Sequence, residues 1–131
     1  MMRRRACLAA ILTLGRIAAG WTQLRRFAVD FTWAGTQSCF DPQSPPFTLS
    51  DVPPGTTQLR FVMQDLDAPD YPHGGGTIAY SGQSSLPRGA FSYRGPCPPR
   101  GRHRYGWAVE ALDAAGRTLA TAAAMRPFPP G

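Results

Sequence analysis

Residues 58–64 read Gln-Leu-Arg-Phe-Val-Met-Gln, and this stretch decides the fold class. Leu59, Phe61 and Met63 alternate with their neighbours, of which only Val62 is apolar. Alternation with a period of two is typical of a strand that buries one face. The stretch therefore predicts a half-buried β-strand, and the polar residues that follow at 65–69 lie at the strand's end.

Three further stretches show the same kind of pattern. Residues 105–112 place Tyr, Trp, Val and Ala on one face with Glu110 on the other, residues 27–33 alternate large apolar with small or polar residues, and residues 77–80 form a shorter candidate. Turn-forming residues separate these stretches, at 44–46, 52–55, 81–82, 96–99 and 113–116. Short strands between turns predict an all-β protein, a sandwich or a barrel, with short connecting loops and little helix.

The C-terminal residues fit more than one structure. Residues 118–125 are rich in alanine, which suits a short helix or an edge strand of small residues. Residues 126–131 contain three prolines. Because proline fixes φ and lacks a backbone N–H, we expect this end to lie irregularly across the surface with Phe128 docked.

Charge is concentrated at the N-terminus. The 131 residues carry fourteen arginines and no lysine, for a net charge of +6. Four of those arginines and none of the eight acidic residues lie in the first twenty positions, so the net charge of the rest is +2. Nucleic-acid binding needs a basic stripe together with a suitable motif. The sequence has neither, which argues against a nucleic-acid partner.

Residues 1–20 have the pattern of a secretory signal peptide. Three arginines at 3–5 precede an apolar stretch from Ala6 to Gly15, and small residues at 18–20 offer a cleavage site before Trp21. Ten apolar residues are too few to span a bilayer. The pattern predicts a periplasmic or secreted protein, with residues 21–131 as a single β-sandwich domain and membrane contact at most peripheral. The alternative is a cytoplasmic N-terminus with a misassigned start.

The cysteines leave two interpretations open. Cys7 lies in the predicted signal peptide, so Cys39 and Cys97 remain. In an oxidising compartment these two could form a disulfide. Free cysteines are also commonly buried as small apolar residues, so two unrelated thiols are the alternative.

Two polar segments carry the candidate chemistry. Asp65 and Asp67 are two residues apart and share a side if the strand extends that far, although an Asx turn is the simpler reading. His73 precedes glycines 74–76, whose N–H groups can form an anion nest or simply a flexible loop. The first segment therefore predicts half of a polar pocket.

The second segment pairs a rigid loop with the other histidine. Prolines stiffen Gly95-Pro96-Cys97-Pro98-Pro99, and a rigid loop lowers the ordering cost of binding. His103 and Tyr105 are two apart at a strand start, so both can face one pocket; a core tyrosine beside a solvated histidine is the alternative. The chain has no further histidine, so we predict that the two segments meet in one pocket.

These motifs resemble the phosphatidylethanolamine-binding protein family, and more narrowly its bacterial Raf-kinase-inhibitor-like branch. The resemblance extends over about residues 31–130 and includes Ser44-Pro45-Pro46-Phe47 and the segment 51–56. It implies an antiparallel β-sandwich with a small anion pocket at one end. Ligand contacts are then expected from Asp65, His73, Pro98, His103 and Tyr105. Pocket-shaping roles are expected for Asp67, Pro69, Gly74 and Gly95.

The function we expect is binding of a small anion, phosphate or a phosphorylated headgroup, without enzymatic activity or a cofactor. The alternative is an interaction protein that inhibits a protease or kinase through the pocket rim, near the arginines at 88, 94, 100 and 102. A hydrolase is disfavoured because no Gly-x-Ser-x-Gly motif is present. A metal site formed by Asp65, His73 and His103 has compatible ligands but ranks below the anion site.

Overall fold

The structure, a computed structural model, describes residues 26–131, so the predicted signal peptide at 1–20 lies outside the described residues. Seven strands and no helix make up this part of the chain. The strands are β1 (Ala28–Phe31), β2 (Phe47–Ser50), β3 (Gln58–Asp65), β4 (Gly75–Ala79), β5 (Ser85–Leu86), β6 (His103–Leu112) and β7 (Thr118–Phe128).

The strands form two antiparallel sheets. One has three strands in the order β1-β2-β5, and the other has four in the order β4-β3-β6-β7. In β3 every second residue is buried, as the sequence alternation predicts. The predicted all-β sandwich is therefore confirmed.

An aromatic core joins the two sheets. The ring centroids of Phe47 in the smaller sheet and Phe61 in the larger one lie 4.7 Å apart, and Trp107 lies 5.3 Å from Phe47. All three side chains are almost completely buried. Tilted and edge-to-face pairs of this kind add to the stabilisation that burial of the rings provides.

The C-terminal expectation was wrong in part. Strand β7 continues through Arg126 and Pro127 to Phe128, in register with β6 down to His103. Proline is tolerated here because β7 is the edge strand of its sheet, where one side of the backbone needs no ladder partner. Phe128 is buried, as expected. Strands β2 and β5 were not predicted, because their short apolar patterns stand next to prolines.

Antiparallel pairing brings the two polar segments to one end of the sandwich. Asp65, the last residue of β3, is paired with Tyr105 near the start of β6. His73 lies just before β4, which turns back beside β3 with Gly75 opposite Val62. The segment 95–99 leads into β6 from the same end. The topology therefore brings residues distant in sequence to a single edge.

The glycines after His73 allow close approach of backbones. A Cβ at Gly75 would overlap the carbonyl group of Phe61, and a Cβ at Gly76 would lie 2.7 Å from the Cβ of Phe91. Neither glycine lines the cavity described below. The close packing of the neighbouring backbone and of Phe91 therefore requires glycine at these two positions.

We expect Gly75→Ala to lower the free energy of unfolding by about 2 kcal/mol, because the added methyl group must displace the β3 backbone. Gly106→Ala is the matched control, since a Cβ there meets nothing closer than 3.8 Å. Urea unfolding of both variants measures the difference. Equal midpoints for the two variants would show that the β3–β4 approach is not tight.

Candidate functional site

A cavity of about 300 Å³ lies at the edge where the two polar segments meet. Its polar lining consists of Asp65, His73, His103 and Tyr105. Its apolar lining consists of Phe40, Ala68, Tyr71, Cys97 and Pro99. A larger cavity of about 510 Å³, near Arg26 and Asp51, lies at the opposite end of the sandwich and has no histidine in its lining. The smaller cavity is the candidate site because it unites both imidazoles.

Asp65 is a buried carboxylate with every oxygen engaged. It is only 4% exposed. One oxygen, Oδ1, accepts the backbone N–H groups of Asp67 and Ala68 at 2.9 and 3.1 Å. The other, Oδ2, lies 2.7 Å from Nδ1 of His103. Asp65 therefore forms the Asx turn that was the alternative interpretation, and it also orients a histidine.

Both histidines are held through the same ring nitrogen. His103 Nδ1 contacts Asp65, and His73 Nδ1 lies 2.6 Å from the carbonyl oxygen of Arg94. Carboxylate and carbonyl oxygens are acceptors, so Nδ1 carries the proton in each ring. Among residues 26–131 neither Nε2 atom has a hydrogen-bond partner, so Nε2 is the nitrogen available to a ligand. It is a lone-pair acceptor when the ring is neutral and a charged N–H donor when it is protonated.

Tyr105 lies against both imidazoles. Its ring centroid is 5.6 Å from that of His73 and 6.3 Å from that of His103. Burial raises the pKa of the Tyr105 hydroxyl well above its ordinary value, and the negative charge of Asp65 raises it further. The hydroxyl is therefore protonated at neutral pH and can donate a hydrogen bond.

Asp67 points away from the cavity. Strand β3 ends at Asp65, so the condition under which both carboxylates would share one side is not met. Asp67 instead accepts the N–H of Arg104 at 2.7 Å and pairs with its guanidinium at 3.0 Å. The Arg104 side-chain hydrogen bond, followed by the backbone one, lowers the pKa of Asp67. Asp67 fastens the turn after β3 to the start of β6.

The other predicted site residues surround the cavity without lining it. Pro99 lines the cavity, whereas its neighbour Pro98 does not. Pro69 is exposed in the turn after Asp65. Gly74 adopts a φ of 72° and its carbonyl accepts the N–H of Met63 at 2.9 Å.

Gly95 permits a close contact between the two loops that wall the cavity. A Cβ at Gly95 would lie 2.5 Å from the backbone oxygen of Asp41. Next to this contact the structure joins Cys39 and Cys97 in a disulfide, with their Cα atoms 4.7 Å apart. The disulfide ties the segment 37–43 to the proline-rich loop and so fixes one wall of the cavity.

A buried carboxylate anchors the same segment from behind. Asp41 accepts the N–H groups of Gln37 and Gln43 at 2.8 and 3.0 Å, and Arg88 Nη2 lies 2.5 Å from Oδ2. Burial acts to raise the pKa of Asp41, but these hydrogen bonds together with the Arg88 charge outweigh it and lower the pKa. The carboxylate is therefore charged at neutral pH and holds the loop that carries Phe40.

The sequence reasoning missed the apolar half of the site. Phe40, Tyr71 and Pro99 all line the cavity, yet none was predicted. Tyr71 stands two residues before His73, and Phe40 directly follows Cys39. The signal that could have identified them is the position of Tyr71 and Phe40 in the sequence, close to a histidine and a cysteine that were themselves site candidates.

Residues 26–131 contain neither a candidate metal site nor a helix that could span a membrane. Within this range no group of three or more His, Cys, Asp or Glu side chains is arranged to hold a metal ion. The described part of the chain also contains no helix long and apolar enough to cross a membrane.

The fold and site define an antiparallel β-sandwich with a polar cavity at one end, and solved structures of other proteins share the fold. The Chlamydia trachomatis protein CT736, described as a phosphatidylethanolamine-binding protein homologue, superimposes with a TM-score of 0.62 at 22% identity, covering 81% of this chain and 99% of that one. Escherichia coli YbcL, described as a member of the mammalian phosphatidylethanolamine-binding protein family, gives 0.61 at 21% identity, covering 82% of this chain and all of that one.

Sequence comparison leads in the same direction. A protein of Methanothermobacter thermautotrophicus described as a UPF0098 protein is 36% identical over 81 residues. The match covers 57% of this chain, and the chain spans about half the length of that relative, 48%. No family model matches the sequence. The protein therefore has the fold of the phosphatidylethanolamine-binding proteins, and the predicted resemblance to that family is confirmed.

Proposed function

We propose that the cavity binds a small oxyanion of the phosphate class, either free phosphate or a phosphorylated headgroup. The observation that carries this proposal is the pairing of two imidazoles that are each fixed through Nδ1 and keep Nε2 available. When protonated, each ring offers a charged N–H donor, and such donors make the stronger hydrogen bonds to anions. The hydroxyl of Tyr105 is a third donor in the same cavity.

The net charge of the cavity depends on the protonation of the two histidines, and this makes anion binding depend on pH. Asp65 contributes one negative charge, and the two histidines contribute two positive charges when both are protonated. The site is then net positive and attracts an anion. When both rings are neutral, only the charge of Asp65 remains and repels one. We infer that Asp65 acts by orienting His103 and does not itself contact the ligand.

The interaction-protein alternative has less support from the rim. Of its four arginines, Arg88 is committed to Asp41. Arg102 donates to the carbonyl of Pro129 at 2.9 Å. The Arg94 guanidinium packs against the rings of Phe40 and Tyr71. Of these four side chains, Arg100 alone has no such partner among residues 26–131. A rim with one unengaged cation is a smaller docking surface than the sequence suggested.

The disulfide bears on where the protein acts. Disulfides persist in oxidising compartments and are rare in the cytosol. The Cys39–Cys97 bond supports the proposal that the protein is periplasmic or secreted.

A pH titration of sulfate binding tests the proposed function. Sulfate keeps both negative charges across the range in which histidines titrate, so any pH dependence belongs to the protein. Isothermal titration calorimetry should show the affinity falling at least about tenfold between about pH 5.5 and pH 8, the range in which imidazole side chains in general change charge.

The control is Arg117→Gln, which removes one positive charge in the β6–β7 turn at the opposite end of the sandwich. This variant should follow the same curve as the parent protein. An affinity that does not change over the range would contradict the proposed role of the histidines.

A further inference from the structure

We propose that the cavity selects phosphomonoesters whose organic group is uncharged and aromatic, and that Phe40 and Tyr71 make this selection. The inference rests on the proposed function and adds the chemical class of the ligand. It is carried by the apolar half of the cavity, which the anion site alone does not require.

The size and lining of the cavity call for more than an anion. Its volume of about 300 Å³ is in the range of small-molecule sites and exceeds what a phosphate group needs. His73, His103 and Asp65 all lie close to Tyr105, and the remaining wall is made of Phe40, Ala68, Tyr71, Cys97 and Pro99. A ligand that fills the cavity must therefore combine an anionic end with an apolar one.

Phe40 is held in an unusual conformation with its ring in solvent. Its φ is 58°, in the left-handed region that side chains other than glycine rarely adopt. Its side chain is 41% exposed, so burial does not account for this placement. The residue is held between the disulfide at Cys39 and the buried carboxylate of Asp41. Backbone strain maintained in this way is typical of ligand-contacting positions.

The two aromatic rings form a preorganised pair. Phe40 and Tyr71 are nearly parallel, with an angle of 17° and centroids 6.1 Å apart, and Tyr71 lies 4.8 Å from the His73 ring. The apolar wall thus begins next to an imidazole that we assign to the anion. A flat ring attached directly to a phosphate matches this spacing, because aromatic groups gain from edge and offset contacts with other rings.

Arg94 argues against a positively charged organic group. Its guanidinium carbon lies 4.8 Å from the centre of the Phe40 ring and 5.5 Å from that of Tyr71, within cation–π range of both. An ammonium group bound in the cavity would compete for the same rings and would meet a like charge. The backbone of Arg94 is fixed as well, by hydrogen bonds to His73 in both directions. The cation position next to these rings is therefore already filled.

Calorimetric titration with three phosphomonoesters and inorganic phosphate tests this selectivity. Phenyl phosphate should bind about tenfold more tightly than phosphoethanolamine, with uncharged but non-aromatic cyclohexyl phosphate between them. Phosphoethanolamine binding as tightly as phenyl phosphate would overturn the inference while leaving the proposed function intact. Failure of all four compounds to bind would instead overturn the proposed function.

Two variants assign the selectivity to residues. Phe40→Leu keeps an apolar side chain and should reduce the ratio of phenyl phosphate to cyclohexyl phosphate affinity to about one. Arg94→Gln should narrow the gap between phenyl phosphate and phosphoethanolamine. The control is Leu119→Ala, which changes an equally exposed apolar residue (42%) away from the cavity and should leave both ratios unchanged. Ratios that stay at the parent values in Phe40→Leu would contradict the assigned role of that ring.

Discussion

The double variant Cys39→Ala/Cys97→Ala is expected to lose about 4 kcal/mol of the free energy of unfolding. The two cysteines are 58 residues apart in sequence, and a cross-link that closes a loop of this length restricts the unfolded chain by about that amount. The effect is large for a single domain whose total stability is on the order of 5–15 kcal/mol.

Loss of the disulfide should also change the dynamics of the native protein. The disulfide ties the segment 37–43 to the proline-rich loop, and without it the segment would still be held by the Gly95 contact, the Tyr93 N–H to Pro42 carbonyl hydrogen bond and the Arg88–Asp41 ion pair. We therefore expect the backbone amides of segment 37–43 to exchange with solvent faster in the variant than in the parent protein. Exchange in β3 and β6 should change less, because these strands lie in the centre of the larger sheet.

Urea unfolding at neutral pH measures the stability change. Parent and variant should both carry Cys7→Ala, so that no third thiol exchanges with the disulfide. A variant that unfolds at the same urea concentration as the parent would show that the cysteines are not bridged in solution.

The second large effect concerns binding. The double variant His73→Asn/His103→Asn is expected to bind sulfate at least about a hundredfold more weakly than the parent at about pH 5.5. Each of the two substitutions removes one charge-assisted hydrogen bond, which contributes about 1.5–3 kcal/mol to the free energy of binding. The charge of Asp65 then remains in the cavity without a positive partner and opposes the anion.

Asparagine is chosen because it preserves the fold. Its side-chain amide can take the place of Nδ1 and donate to the carbonyl of Arg94 at position 73 and to Asp65 at position 103. The Nε2 donors and the positive charges of the rings are lost. Calorimetry of the two single variants should show about a tenfold loss for each. A double variant that binds sulfate as the parent does, with unchanged circular dichroism, would exclude the histidines as ligands.

Most of the sandwich could be predicted from alternation. Residues 58–64 and 105–112 have one buried face each, so their period of two is visible in the sequence. Strands β2 and β5 have only four and two residues, and a period cannot be recognised in so few. The extension of β7 through Pro127 depends on its position at a sheet edge, which is a property of the topology and not of the local sequence.

The polar half of the site could also be predicted, while the apolar half could not. Asp65, His73, His103 and Tyr105 were identified because their chemistry stands out. Phe40 lies 25 residues before Asp65 in a segment with no regular structure, and tertiary contacts, among them the disulfide and the Arg88–Asp41 ion pair, bring it to the cavity. Ionisable residues can be recognised as site candidates in the sequence. An apolar wall can be recognised only in the folded protein, because its residues look like any other apolar residues.

The central claim is that the cavity between His73 and His103 binds an oxyanion. The most direct test is a crystal of the protein soaked in selenate at about pH 5.5 and measured at the selenium absorption edge. The account predicts an anomalous peak between the two histidines, placed so that selenate oxygens accept hydrogen bonds from both Nε2 atoms. A peak at other positions only, or none at all, would contradict it.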